Sequence, residues 1–432
     1  MTEARSYWQA TAPAAPALPK LAGDRDVDVA IVGGGYTGLA AAEWLADAGK
    51  DCLVLEAKSI GWGASGRNGG SATPRYKKGW ATLAGSYGAE ATRALHRELF
   101  AGIDSIQKRI ARFDIACDFR RSGQATAAHG PAALDSLRAD LDWLRRETGD
   151  STPQLLDRDA TASLLGTAAY PGAYYDPRGA FLHPLAYLRG WAAALAARGL
   201  AIHAETPVTA EREEAGGVIL ETPGGRVRAR TVIIATNAYT PEFFPGRLAR
   251  RIVPVASSLI VTAPLSGEAR ARVLPTGAIL ADTRRLLSYA CPLPDGRIMI
   301  GGRGDLTGRR EDPASYARLE GILARLFPAL AGTRIDYRWR GMVAVTLDAM
   351  PHLGRLGERH LFGLGYGGRG VVLAHSLGRM LGRMAAGETI EAGPFGAAHL
   401  AVIPLHGWRR PIMQLTAGYW GLRDRIEERA RG

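Results

Sequence analysis

The chain has 432 residues, 47% hydrophobic and 22% charged. At roughly 100–200 residues per domain this allows two to four domains and excludes a disordered chain or a small stapled scaffold. Its 54 Lys+Arg against 42 Asp+Glu give +12, yet only six of these are lysines and the arginines are dispersed, which argues against a nucleic-acid stripe. Cys52, Cys117 and Cys291 are too few and too far apart for a disulfide framework. No stretch reaches the roughly 18 apolar residues of a membrane helix, and no apolar export segment is visible, so no membrane span and a cytoplasmic location are expected.

After a Pro/Ala-rich arm that includes Ser6, Tyr7 and Trp8, the first predicted strand is the β-branched run Val27 to Val32. Gly33-Gly34-Gly35-Tyr36-Thr37-Gly38 follows, then a helix with Leu39, Ala42 and Leu45 on one face, closed by Gly49. Leu53-Val54-Leu55 reads as a second buried strand ending at Glu56. Gly33, Gly35 and Gly38 thus form GxGxxG inside a βαβ frame, where glycines permit the turn, let backbone approach a pyrophosphate and let helix pack on strand. Glu56 suits the hydroxyls of an unphosphorylated ribose, which leaves FAD and NAD open. Ile60 to Gly70 then supplies five glycines with Ser65, Arg67 and Asn68 in eleven residues. An extended FAD needs a second irregular loop there, and an NAD dehydrogenase does not.

With these two loops, Gly33 to Leu39 and Gly61 to Gly70, the sequence resembles the amine-oxidising flavoproteins of the D-amino acid oxidase superfamily, in particular their gamma-glutamylputrescine oxidase-like branch. Later segments extend the resemblance: a strand reaching Val208, Val227 to Thr240, Arg340 to Gly354, and Leu361 to Val371. It implies non-covalent FAD, because Cys291 matches no flavin-linking motif. It also implies contacts to FAD from Gly33, Gly35, Tyr36, Thr37, Gly38, Glu56 and Ala57, from Trp62, Gly63, Ala64, Ser65, Arg67, Asn68, Gly69 and Gly70, and from Val208, Thr236, Gly367, Gly368, Arg369 and Gly370. Gly363, Gly365 and Gly368 make a second formal GxGxxG, but no strand ending in an acidic residue follows its helix. That loop is expected at the pyrimidine edge of the flavin, with Arg369 as a fixed cation for the anionic reduced ring.

The remaining segments predict helices over Ala89 to Arg112, Pro131 to Glu147 and Pro313 to Phe327, and strands over Ile252 to Pro264, Ala278 to Pro292 and Arg297 to Gly302. The expected fold is α/β: a discontinuous Rossmann-like FAD domain (1–88, 151–240 and 340–432) and an α+β substrate domain of mixed sheet plus helices (89–150 and 241–339). The resemblance implies oxidation of an amine or amino acid C–N bond to an imine by hydride transfer, then hydrolysis, with oxygen or another acceptor taking the electrons. Gamma-glutamylputrescine, N-methyl amino acids and imino acids stay open as substrates. A dehydrogenase with a partner subunit and a tRNA-modifying flavoenzyme are the competing readings. Tyr289, Arg340 and Tyr366 are candidates for enclosing the substrate and binding a carboxylate. The nine histidines show no metal spacing, so no metal is expected. Every lysine lies at or before Lys108, so the substrate half lacks the lysine that activates oxygen in sarcosine oxidase-like relatives; Lys77 and Lys78 are the available substitutes.

Overall fold

The computed structural model describes residues 5–303 and 313–429. The β-branched run read from the sequence forms the strand Arg25–Val32, which pairs in parallel with Cys52–Leu55 on one side and Gly225–Ile234 on the other. Ala201–His203 extends this sheet beyond Cys52–Leu55, and His360–Leu364 pairs in parallel with the end of Gly225–Ile234. A meander of Ala210–Glu214 and Gly217–Thr222 forms one flank. Ala30, Ile31 and Val54 are wholly buried, as parallel strands covered on both faces require. Helices Tyr36–Asp47 and Gly370–Ala385 pack together on one face. Their closeness depends on glycine: a Cβ on Gly378 would stand 2.6 Å from that of Ala40.

The second eight-stranded sheet runs Ile335–Val345, Val253–Thr262, Ile298–Arg303, Ser288–Pro292, Ile279–Asp282, Gln124–Ala127, Ala173–Asp176, Gln154–Leu156. It corrects the expected domain division. The strands Gln154–Leu156 and Ala173–Asp176, assigned from sequence to the FAD domain, lie in the substrate sheet, and Ile335–Val345 crosses the expected boundary at 340. Strands of three or four residues carry too little alternation to be assigned to a sheet from sequence. Helix Ala89–Phe113, expected over the substrate sheet, instead packs on Gly370–Ala385, and Arg109 Nε donates to the buried Glu43 of the nucleotide helix at 2.5 Å. The predicted single strand Ala278 to Pro292 is two strands joined by a turn. Parts of the expected domains at 1–4, 304–312 and 430–432 lie outside the described residues. Among those described, no helix is long and apolar enough to cross a membrane.

Candidate flavin and substrate site

The first strand ends at Gly33, whose φ of 111° and the approach of Ala235 O, 2.9 Å from where a Cβ would sit, both require glycine. Helix Tyr36–Asp47 then begins at Gly35 with no side-chain cap on the helix and no acid in its first turn. Tyr36 N donates to Ser65 Oγ at 3.1 Å, while the amides of Gly35 and Thr37 find no acceptor among the described residues. Exposed amides at the positive end of a helix dipole form an anion site. Glu56 faces them: its Oε2 accepts from Gly34 N at 2.8 Å and its Oε1 from Lys58 N at 2.9 Å. Burial raises the Glu56 pKa, and the two amide bonds oppose the rise.

The second glycine loop is tied by its own polar side chains. Asn68 Nδ2 donates to Ala64 O at 3.2 Å and Ser65 O at 2.9 Å, and its Oδ1 accepts from Gly70 N at 2.8 Å. Arg67 Nε donates to Trp62 O at 2.7 Å. Two distant indoles hold the loop from outside, Trp8 Nε1 on Asn68 O and Trp339 Nε1 on Arg67 O, both at 2.9 Å. Between the two loops runs a cleft of about 290 Å³, closed by Val208, Thr236 and Gly368 among others. A smaller chamber of about 150 Å³ abuts it on the substrate-sheet side. Ala64, Asn68, Met342, Val343, Gly368 and Val371 line both.

Of the expected cofactor contacts, Gly33, Gly35, Tyr36, Thr37, Glu56, Ala57, Trp62, Gly63, Ala64, Ser65, Asn68, Val208, Thr236, Gly368 and Gly370 line the cleft. Arg67, Gly69, Gly367 and Arg369 line the chamber instead. Gly38 and Gly70 line neither. A Cβ on Gly38 would collide with the Gly33 carbonyl, and one on Gly70 with that of Leu182, so both serve chain packing.

The three substrate candidates separate. Tyr289 lines the chamber, its ring pressed on Gly69 and Gly301, and burial raises its phenol pKa. Tyr366 lines the cofactor cleft, with its hydroxyl 2.7 Å from Thr37 Oγ1. Arg340 lines neither cavity. Gly341 and Val343 of its strand line the chamber, and the Arg340 carbonyl accepts from Arg67 Nη1 at 3.3 Å, so the arginine supports the loop through its backbone.

The sequence reading missed Arg303, Gln124, Ser71 and Thr73, which supply polar groups to the chamber. Arg303 was hidden among dispersed arginines, Ser71 and Gln124 sit on short strands, and Thr73 follows directly after one. Arg369 Nε is buried with no partner, and burial, then the charges of Arg75 and Arg303, bring the guanidinium pKa down to about 10. Lys77, half-buried, is lowered to about 8 by burial, then by Arg303 and Arg369. Among the described residues, none of Lys77, Arg303 and Arg369 has a carboxylate within ion-pair distance.

Two glycine loops, the first with free amides, a carboxylate at a strand end and an adjoining chamber define a dinucleotide-binding oxidoreductase, and the residues present fit FAD. The sequence matches the DAO family, FAD dependent oxidoreductases, over residues 28–384, and the chain belongs to that family. It is 35% identical over 431 residues to the gamma-glutamylputrescine oxidoreductase of Escherichia coli (strain K12), covering 99% of this chain and all of that protein. The glycine oxidase of Bacillus licheniformis is 26% identical, over 84% of this chain and 94% of its own. The crystal structure of glycine oxidase from Geobacillus kaustophilus shares the fold with a TM-score of 0.72, over 88% of this chain and 99% of that one, at 21% identity. The second formal GxGxxG does not open a second nucleotide domain: its strand, His360–Leu364, joins the first sheet.

Proposed function

We propose that the chain oxidises the C–N bond of an amine or amino acid that carries a carboxylate. The observation that supports this reading is a chamber abutting the cofactor cleft whose cations, Arg303 and Arg369 in the wall and Lys77 beside them, lack carboxylate partners among the described residues. The relatives' names, gamma-glutamylputrescine oxidoreductase and glycine oxidase, agree with an amino-acid-like substrate.

FAD, held by the Gly33–Thr37 amides, Glu56 and the Trp62–Asn68 loop, would supply the hydride acceptor. Arg303 and Arg369 take the carboxylate in charge-assisted hydrogen bonds and so fix where the reacting carbon lies. Their positive field also disfavours the ammonium form of the substrate and favours the free amine, the form that can release a hydride. Tyr289 and the apolar wall of Leu259, Ile279, Met342 and Val345 exclude water from that carbon. The C–H bond breaks with its electron pair leaving as hydride, C=N forms, and the nitrogen gives up a proton. Water then adds to the released imine to give a carbonyl compound and an amine. Oxygen or another acceptor takes the two electrons.

Anaerobic mixing of the yellow holoprotein with a panel of amines tests the reading. Bleaching by carboxylate-bearing amines, and slower bleaching by their amides, is expected; bleaching by none of them overturns it. Peroxide release in air then separates oxygen from other acceptors.

A further inference from the structure

The helix Arg409–Arg429 lies against the loop that joins the strands Ile279–Asp282 and Ser288–Pro292. Asp424 holds that loop by three bonds: its Oδ1 accepts from Arg285 N at 3.3 Å and from Arg285 Nη1 at 2.9 Å, and its Oδ2 accepts from Leu286 N at 3.2 Å. Glu427 Oε1 accepts a further bond from Arg285 Nη2 at 2.8 Å. One turn before Asp424, the ring of Trp420 is centred 5.3 Å from the guanidinium carbon of Arg303. Trp420 is half-buried there, while Tyr419 and Leu422 beside it are more than half exposed. Arg303 lines the chamber, and so does Leu287, the next residue of the clamped loop. The C-terminal helix thus backs two parts of the chamber wall, although none of its described residues lines the chamber.

An arginine that receives a substrate carboxylate has to be held in place with its donors unspent. A carboxylate partner within the protein would fix the guanidinium by consuming the N–H groups that the substrate needs. An aromatic face attracts the cation through its ring quadrupole and leaves those N–H groups to a bidentate acceptor. Asp424 acts on Arg303 through its charge alone, both of its oxygens being engaged by Arg285 and Leu286.

We propose that Trp420 is a positioning residue for the oxidation: it holds the Arg303 guanidinium in the orientation that receives the carboxylate, and so sets the preference for carboxylate-bearing amines from outside the chamber. Trp420 has this role only if Arg303 binds the carboxylate, as proposed above.

Two measurements on the FAD-loaded full chain test it. One is KM and kcat for a carboxylate-bearing amine and for its amide. The other is the Kd of propionate, a carboxylate without the amine, read from its shift of the flavin absorbance. Trp420→Leu is expected to raise KM for the acid and the propionate Kd about 3- to 10-fold, with kcat and the amide KM nearly unchanged. Trp420→Phe, which keeps a ring beside the cation, should show the same acid-only rise at about twofold. In an Arg303→Gln background, Trp420→Leu should change nothing further. Leu415→Ala, at an exposed position of the same helix, should behave as the parent. An equal loss for acid and amide, a loss that persists without Arg303, or parent-like constants in Trp420→Leu overturns the role of Trp420 and leaves that of Arg303 standing. A parent that responds neither to the acid nor to propionate overturns the role of Arg303 and that of Trp420 with it.

Discussion

The indole of Trp8 donates to the carbonyl of Asn68 at 2.9 Å, joining the N-terminal arm to the second glycine loop across sixty residues. Ser6 caps the short helix Tyr7–Thr11 in a reciprocal box with Gln9, and Trp8 itself is wholly buried among Phe181, His183 and Trp339. The arm is therefore part of the cofactor site, because the loop it fastens lines both cavities. Trp8→Phe keeps most of the ring volume and removes only the donor, a loss of about 1–3 kcal/mol for a buried acceptor. If about half of that reaches the loop, FAD binds roughly 2- to 12-fold more weakly. Fluorescence titration of the apoprotein measures it, and an unchanged Kd would show the arm to be dispensable.

Gly38 makes a sharper case. Its missing side chain lets the nucleotide helix sit against the Gly33 carbonyl. Gly38→Ala forces backbone apart at the mouth of the cleft, at a cost of about 1–3 kcal/mol for overpacking. A fall in the melting temperature of the apoprotein together with weakened FAD retention is expected; normal values for both would contradict the packing role.

The chamber arginines should separate substrate from cofactor. Arg303→Gln leaves the FAD loops untouched and removes one charge-assisted bond, about 1.5–3 kcal/mol. KM for a carboxylate-bearing amine should rise about 10- to 100-fold while FAD affinity holds. An equal effect on the corresponding amide would sink the assignment.

Lys77 sets a pH dependence. Burial, then Arg303 and Arg369, hold its pKa at about 8, below the ordinary 10.5. As pH rises through about 8 the ammonium loses its proton, the chamber loses a positive charge, and KM for an anionic substrate should increase. Lys77→Met should flatten that rise. The stability effect has the opposite sense: between about 8 and 10.5 the unfolded chain binds more protons than the folded one, so stability should grow with pH across that window. A KM profile that is level through pH 8 in the parent would exclude Lys77 from substrate binding.

Legibility in the sequence followed the range of the signal. Gly33, Gly35 and Glu56 were readable because a turn, a helix start and a strand end lie within one βαβ unit, and all three line the cleft. Tyr366 and Arg340 were singled out by their place beside glycine loops. Side-chain direction, which neighbours in sequence do not fix, turned Tyr366 to Thr37 and kept Arg340 out of both cavities. The chamber itself was illegible, since Ser71, Gln124, Tyr289, Arg303 and Arg369 come from five separate segments.

The sequence by itself determined the cofactor frame, because glycine conformation and helical periodicity are local properties. It also fixed that no lysine follows Lys108. Only the tertiary structure decided which dispersed arginines face the chamber and that Lys77 stands beside them. Strand pairing between segments more than a hundred residues apart sets those neighbours, and the burial it imposes shifts their charges.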